Sequence, residues 1–386
     1  MAASAAPSPA QQAQANLSNR ALLLASSPRA RKNVLTSTAP LGGTIRLKLF
    51  NVGVITKLVL QVSAAVTIGA AVPTVSPKGP WNIIQRVRLT DYDGTDRVNL
   101  SGFQLFLLNC VRNRCLYSFN NAAATGLTAF TNPSTPTAIG AQTVNFFIEI
   151  PLAYDVDNPV VQLQDLRGAI LGQTAVGEMY LSIDFISSLI SATSDVDSLY
   201  GSATATVVAT TTNLFTVTLW QEYILPQTLS NGQIALPAID LMTVYELNGA
   251  LKSTDNISVS TEKLINYPNV RSVIGLYANY VTGGVLASQN VNRFRTIANG
   301  NNVLIDHSEQ SQLFYQRTWF APDADTLPGC YWRAHRDKPM ETQLFGNLQW
   351  GITPNTVNGG NQYMEVAFES FYTKGQALPG MVQASG

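Results

Sequence analysis

Residues 214–247 read LFTVTLWQEYILPQTLSNGQIALPAIDLMTVYEL, and the organisation of the chain can be counted outward from them. Hydrophobic and polar residues alternate over its first part, which is the period-two pattern of a half-buried strand. Pro226 ends that strand, because a proline has no N–H to donate to a sheet. After a connector that contains Asn231-Gly232, a new apolar stretch begins at Ile239. We interpret the stretch as the last strand of one β-domain, a short linker and the entry into a second.

Strand patterns also occur throughout the part of the chain that precedes this linker. Many short alternating segments, separated by Gly, Pro and Asn, predict a β-sandwich or a jelly roll with about eight strands. The segment 101–114 has helical spacing instead, and predicts a helical excursion between two strands. The alternating segments are residues 44–49, 58–62, 80–94, 144–151, 179–186, 203–210 and 214–225.

The second half of the chain repeats this plan. Residues 267–284 have the same order of proline, asparagine, strand and glycine as residues 80–94. The run Gln-Leu-Phe at 104–106 returns at 312–314, again in a segment of helical spacing. The common order of these matches predicts a duplicated β-domain.

Charge is scarce and unevenly distributed. Of the 386 residues 46% are hydrophobic and only 12% are charged, which suits a protein with much of its surface against copies of itself. Residues 1–90 contain ten basic and no acidic side chains, so the remaining residues carry 14 basic and 24 acidic ones. Such asymmetry points to an anionic surface near the N-terminus, either lipid headgroups or nucleic acid. Arg46, Lys48 and Arg88 are expected to be solvent-facing strand positions.

The N-terminal segment predicts a weakly amphipathic helix. Ser8 can cap it, Pro9 fits its first position and Pro28 ends it. This arm could lie on a membrane or lock against a neighbouring subunit, and a frayed tail is the alternative. A basic cluster within residues 20–32 precedes the first predicted strand and is the candidate for a partner contact; its members are Arg20, Arg29, Arg31 and Lys32.

No catalytic, cofactor-binding or metal site is expected. Cys110, Cys115 and Cys330 lack metal-ligand spacing and are interpreted as free thiols in a reducing compartment. The two histidines lie in no nucleophile motif. The acidic run at 91–96 lacks the glycine and glutamate of a calcium loop, so it predicts a tight turn. No membrane span or signal peptide is recognised, which leads us to expect synthesis in the cytoplasm.

The chain resembles the double jelly-roll major capsid proteins of tailless phages with an internal membrane, of the tectivirus type and akin to adenovirus hexon. The more specific stretches are IPLAYD, LPAIDL and the run from RDKP to NTVN, although the last departs from the family pattern at Pro354-Asn355-Thr356. The resemblance runs through SPAQQAQ (8–14), NVGVITKLVLQVSAAVT (51–67), PWNIIQRVRLTDYD (80–93), LSGFQLFLLN (100–109), IPLAYD (150–155), LPAIDLMTVYELN (236–248), RDKPMETQLFGNLQWGITPNTVN (336–358) and YMEVAFESFY (363–372).

The resemblance implies an all-β chain of two side-by-side eight-stranded jelly rolls, with an N-terminal helix and short helical excursions in loops. We expect a helical arm at 1–40, a first jelly roll at 41–228, a second at 229–376 and a tail at 377–386. The four basic residues of the arm would face the membrane or neighbouring subunits.

The function that the resemblance implies is structural, without catalysis or a cofactor. Homotrimers with a pseudo-hexagonal outline would tile an icosahedral shell around a lipid membrane and a double-stranded DNA genome. Other partners would be vertex or penton proteins and minor capsid proteins, with no sequence-specific binding of nucleic acid. The protein would be located in the virion after assembly in the host cytoplasm.

The main alternative is a β-sandwich that binds carbohydrate or hydrolyses glycosides. Such a protein needs a concave site with clustered aromatic side chains and carboxylates on one sheet face. Its aromatic candidates are Tyr277, Tyr280, Trp319, Tyr331 and Trp332. A receptor-binding spike, as a third interpretation, would need a stalk repeat, and the sequence has none.

Overall fold

The structure is a computed structural model of the 386-residue chain. Its first described residue is Ser27. It describes residues 27–113, 135–155, 165–172, 176–192, 196–202, 204–226, 243–253, 257–286, 289–319, 328–335, 338–355, 357 and 362–373.

The first domain is a jelly roll of two facing four-stranded sheets. Their strand orders are β1-β13-β3-β7 and β2-β9-β5-β6, and two short strands, β8 and β12, also pair with β3. The elements are β1 (Arg29–Ala39), β2 (Thr44–Lys48), β3 (Val54–Gly69), β4 (Thr74–Val75), β5 (Ile84–Thr90), β6 (Asp96–Leu100), α1 (Gly102–Asn113), β7 (Gly140–Pro151), β8 (Ile170–Leu171), β9 (Tyr180–Phe185), β10 (Ile190–Ser191), β11 (Tyr200–Gly201), β12 (Thr206–Ala209) and β13 (Phe215–Ile224).

The second domain repeats this topology strand for strand. Its sheets are β14-β23-β16-β20 and β15-β22-β18-β19, and a helix again follows the fifth main strand. The expected duplication is therefore confirmed. The elements are β14 (Thr243–Ser253), β15 (Lys263–Asn266), β16 (Ser272–Thr282), β17 (Val285–Leu286), β18 (Val291–Ala298), β19 (Asn302–Ser308), α2 (Glu309–Trp319), β20 (Cys330–Ala334), β21 (Met340–Glu341), β22 (Leu348–Pro354) and β23 (Tyr363–Thr373).

A continuous sheet joins the two domains. Strand β6, at the edge of a first-domain sheet, pairs in parallel with β14, so that Val98 lies opposite Leu247 and Asn99 opposite Asn248. The two jelly rolls consequently stand side by side with their backbones hydrogen-bonded. The predicted connector at 227–242 lies outside the described residues.

The alternation that decided the fold is visible in β13. Phe215, Val217 and Leu219 are buried in the first core, while the residues between them are partly exposed. Gln221 shares the buried parity, and its side-chain amide exchanges two hydrogen bonds of 2.9 and 3.0 Å with the backbone of Phe50. A polar residue therefore fits the core face because each of its hydrogen-bonding groups has a partner there.

Both helices lie where helical spacing predicts them, but the sheet begins earlier than the alternating segments predict. Strand β1 begins at Arg29, upstream of the first alternating segment at 44–49, and pairs with β13 along its length. The expected arm at 1–40 therefore overlaps a strand of the first jelly roll. The pattern is hidden because β1 is an edge strand, largely exposed on both faces, and edge strands often carry basic residues. The predicted N-terminal helix lies outside the described residues.

Candidate assembly site at the junction of the domains

Helix α1 lies between the two domains. Its N-terminus has a reciprocal capping box. The backbone N–H of Gln104 donates to Ser101 Oγ at 3.2 Å, and the backbone N–H of Ser101 donates to Gln104 Oε1 at 3.0 Å. Asn109 then fixes the helix to β7 by exchanging two hydrogen bonds of 2.9 Å with the backbone of Glu149. Ten of the twelve residues of α1 are buried, because the helix contacts the first domain on one side and β16 of the second on the other.

The C-terminal end of α1 supplies a cation to the second domain. Arg112 Nη1 donates to Glu369 Oε1 at 2.9 Å and to the Tyr245 hydroxyl at 2.7 Å. Glu369 is 0% exposed and also accepts hydrogen bonds of 2.5 Å from the hydroxyls of Tyr245 and Tyr277. Burial, and to a lesser degree the negative charge of Glu369, keep the pKa of Tyr245 well above its usual value. The Tyr245 hydroxyl therefore stays protonated and donates its hydrogen bond to the carboxylate.

A second buried cation crosses the junction at Lys78. Its Nζ donates to the Tyr363 hydroxyl at 2.6 Å and to Glu365 Oε2 at 3.0 Å. The Tyr363 hydroxyl in turn donates to Asp197 Oδ1 at 2.6 Å, and that carboxylate lies 3.8 Å from Lys78 Nζ. Burial also raises the pKa of the neighbouring Cys330 thiol to about 12. The network thus joins Lys78 and Asp197 of the first domain to one strand of the second.

The two domains also approach each other closely at two glycines. A Cβ added to Gly168 would lie 2.1 Å from Tyr245 Cβ, and the backbone there has a φ of +86° that side chains disfavour. A Cβ added to Gly249 would lie 2.7 Å from Gln104 Oε1. A cavity of about 290 Å³ remains at the junction, with Lys78, Asp197 and Glu365 among its lining residues.

These contacts set the orientation of the domains. Buried ion pairs contribute little net stability, but removing or displacing one partner leaves an uncompensated buried charge. Any sliding of one domain over the other would break both networks at once. The junction is therefore suited to hold two jelly rolls in one fixed arrangement, which a repeating assembly needs.

Replacing Lys78 by methionine is expected to lower the free energy of unfolding by about 3 kcal/mol, because Glu365 loses its buried cation. Lys48→Met is the matched control: Lys48 pairs with Glu178 at the surface, where ion pairs contribute little to stability, so a much smaller loss is expected. Denaturant titrations at equal protein concentration measure both. Equal losses for the two variants would show that the Lys78 network does not support the junction.

The predicted basic residues are not gathered into one cluster in the described part of the chain. Arg20 lies outside the described residues, and Arg29, Arg31 and Lys32 lie along β1. Arg31 forms an ion pair with Glu222 on the adjacent strand, and Lys32 Nζ lies 4.2 Å from the centre of the Phe50 ring. Their expected membrane-facing role stays a prediction.

The aromatic candidates for a carbohydrate site are buried instead of lining a surface groove. Tyr277 and Trp332 face the domain junction, while Tyr280 and Tyr331 belong to the core of the second domain. The side chain of Trp319 lies outside the described residues. The expected free thiols are confirmed for Cys110 and Cys330, both buried, whereas Cys115 is not described.

The acidic run at 91–96 forms the expected turn between β5 and β6. Its first carboxylate, Asp91, is buried and accepts a hydrogen bond of 2.6 Å from Arg97 Nε. Within the described residues no group of three potential metal ligands occurs, and none of their helices is long and apolar enough to cross a membrane.

The role of the charged residues that join the domains is not predicted from the sequence. One signal was present: Glu365 and Glu369 lie four residues apart in an otherwise apolar strand, so they share one face. The partners Lys78 and Arg112 could not be assigned to them, because more than 250 residues separate each pair along the chain.

The chain is similar to known capsid proteins over most of its length. Residues 2–225 match the family described as P3 major capsid protein N-terminal, and residues 242–382 match P3 major capsid protein C-terminal. Major capsid protein P3 of Enterobacteria phage PRD1 is 24% identical in an alignment of 342 positions that covers 84% of this chain and 82% of that protein.

Two solved structures share the fold. The structure of the STIV MCP, from Sulfolobus turreted icosahedral virus, aligns with a TM-score of 0.63 at 12% identity and covers 93% of this chain and 100% of its own. The PBCV-1 virus capsid aligns with a TM-score of 0.57 at 10% identity and covers 90% and 94%.

Proposed function

The chain belongs to the P3 family of major capsid proteins, and from this premise we propose that three copies form a pseudo-hexagonal capsomer that tiles an icosahedral shell. In the proposed virion the shell surrounds a lipid membrane and a double-stranded DNA genome. Vertex or penton proteins and minor capsid proteins complete the shell, and no sequence-specific contact with the genome is required.

The observation that carries the capsomer is the fixed junction between two domains of equal topology. A threefold particle built from such chains has six similar lobes, and six similar edges suit hexagonal packing. The low share of charged residues, 12%, also favours a surface that is mostly covered by neighbours.

The test of the capsomer is its outline in negative-stain electron microscopy of the purified protein. Six lobes around a central axis are expected, alternating between first and second domains. Particles with two lobes, or with lobes in an open chain, would contradict the capsomer.

The N-terminal arm is proposed to contact the membrane or neighbouring subunits. Residues 1–26 carry one basic side chain, Arg20, and no acidic one, and Arg29, Arg31 and Lys32 follow in β1. These charges support an anionic partner, and each basic side chain near anionic headgroups is worth up to about 1 kcal/mol. A deletion that stops before Ser27, the first described residue, leaves β1 whole.

Deleting residues 1–26 is expected to leave the oligomer intact and to weaken binding to vesicles of phosphatidylglycerol and phosphatidylethanolamine. Size-exclusion chromatography and vesicle flotation measure the two properties. Deleting residues 1–39 is the contrasting variant: it also removes β1 and exposes the edge of β13, so we expect loss of soluble protein.

The results separate the two roles of the arm. Unchanged flotation of the shorter deletion would show that residues 1–26 do not bind the membrane. Loss of the oligomer from that same deletion would show that the arm holds subunits together.

A further inference from the structure

Each sheet of the second domain has an unpaired strand edge on the side of helix α2. Among the described strands β19 pairs only with β18, and β20 pairs only with β16. Helix α2 contacts both β19 and β20, so it bridges the opening between the two sheets. We call the space enclosed by these three elements the helix-covered opening of the second domain.

Three basic side chains lie at this opening. Arg333 of β20 is paired across the sheet with Leu276, and His307 of β19 is paired with Phe294. Leu276 and Phe294 are buried core residues, and paired residues share one face of a sheet. Arg333 and His307 therefore lie on the inner faces of the two sheets. His335, the only other histidine of the chain, has the same parity as Arg333 and lies on the same side.

The guanidinium of Arg333 has no carboxylate partner in the part of the chain that the structure describes. Its carbon lies over the ring of Tyr315 of α2, 4.7 Å from the ring centre, and its Nη2 is buried without a hydrogen bond. The Nε2 of His335 is also buried without a hydrogen bond. Because buried polar atoms in proteins nearly always have a partner, these two atoms together indicate a binding site.

The electrostatics of the opening select the sign of the ligand. Burial lowers the pKa of Arg333. Burial, and second the positive charge of Arg333, lower the pKa of His335 to about 4 and also lower the pKa of His307. The charge of Asp306 also acts on His307, but this carboxylate is paired with Arg293 at the surface. A cation removed from water is costly unless an opposite charge accompanies it, so the ligand that fits is an anion.

We propose that the helix-covered opening binds a small tetrahedral oxyanion such as inorganic phosphate, with Arg333 as the charged ligand and His335 as a second donor. A guanidinium presents its N–H groups as a fork that matches two oxygens of a phosphate, and a neutral imidazole can donate one further N–H. A tetrahedral anion offers oxygens to both groups at once. All of these residues belong to one domain of one chain, so the inference does not depend on the proposed homotrimer.

Isothermal titration calorimetry of the full-length protein with sodium phosphate at pH 7 tests the site, with sodium chloride of equal ionic strength as the background. One phosphate per chain is expected to bind. Arg333→Met is expected to weaken binding about tenfold or more, because a charge-assisted hydrogen bond is lost. Arg46→Met is the matched control and should bind as the unmodified protein does. Arg46 also lies over a tyrosine ring, 3.8 Å from the ring centre of Tyr180, but it is exposed on the first domain.

Two results of the titration overturn the proposal. The first is the absence of phosphate binding by the unmodified protein, whatever compensates the charge of Arg333 instead. The second is binding that Arg333→Met leaves unchanged or that both variants weaken equally, because the phosphate would then lie elsewhere.

The two histidines provide a measurement that needs no substitution of Arg333. In protein labelled with carbon-13 histidine, His307→Gln assigns the two ring signals in the NMR spectrum. Phosphate is expected to shift the His335 signal until it saturates and to raise the pKa of His335, because a nearby negative charge favours the protonated ring. Signals of both histidines that stay unchanged at high phosphate would exclude binding at this opening.

Unfolding experiments separate a ligand site from a residue that only supports the fold. Without phosphate, Arg333→Met is expected to be at least as stable as the unmodified protein, because an apolar side chain replaces an unpaired cation. Phosphate should raise the unfolding temperature of the unmodified protein more than that of the variant. The comparison is needed because phosphate also stabilises proteins without binding to a site. Equal gains for the two proteins would contradict the proposal.

Discussion

Replacing Glu369 by alanine is expected to lower the free energy of unfolding by about 3–5 kcal/mol, because Arg112 then becomes an unpaired cation at a buried junction. Glu369 is fully buried, and its two oxygens accept hydrogen bonds from Arg112, Tyr245 and Tyr277. Few single substitutions away from the apolar core should cost as much. Denaturant titration of the purified protein measures the loss.

A double substitution removes both charges of this ion pair. Arg112→Met combined with Glu369→Leu is expected to cost much less than the sum of the two single substitutions, because no buried charge remains without a partner. Glu178→Ala, which removes a carboxylate paired with Lys48 at the surface, serves as the control and should cost much less than Glu369→Ala. Additive losses in the double variant would mean that the two residues stabilise the chain separately.

Replacing Gly168 by alanine is the other substitution with a large expected effect, a loss of about 3 kcal/mol. Two costs combine. A φ of +86° strains any side chain, and the new Cβ would lie 2.1 Å from Tyr245 Cβ and 3.0 Å from its backbone nitrogen. Either β14 or the loop at Gly168 must move, and both belong to the junction.

A matched glycine separates the two costs. Gly94 has nearly the same φ, +83°, but nothing lies within 4 Å of the position that its Cβ would occupy. Gly94→Ala is therefore expected to cost about 1–2 kcal/mol from backbone strain alone. Thermal or denaturant unfolding compares the two variants, and equal losses would show that the contact between Gly168 and Tyr245 does not constrain the domains.

The repeating part of the fold follows directly from the sequence. The period-two pattern of β13 shows which face of the strand is buried. The return of Gln-Leu-Phe identifies α1 and α2 as equivalent helices. Each signal arises from local periodicity and burial, which neighbouring residues share and which a short window of sequence therefore contains.

The parts that sequence reasoning missed depend on distant residues. Strand β1 has little alternation because it is exposed at an edge, and only its pairing with β13 makes it a strand. In the sequence, Lys78 and Arg112 cannot be distinguished from surface cations. Only the folded chain shows that they pair with Glu365 and Glu369 of the second domain. Contacts between residues so far apart along the chain produce no periodic pattern in the sequence.

The most direct test of the account is the mass of the purified native protein, measured by native mass spectrometry or sedimentation. We expect a homotrimer with three times the 41.6 kDa chain mass, stable without any ligand. A protein that remains a single chain at all accessible concentrations, or that forms closed dimers, would contradict the proposed capsomer.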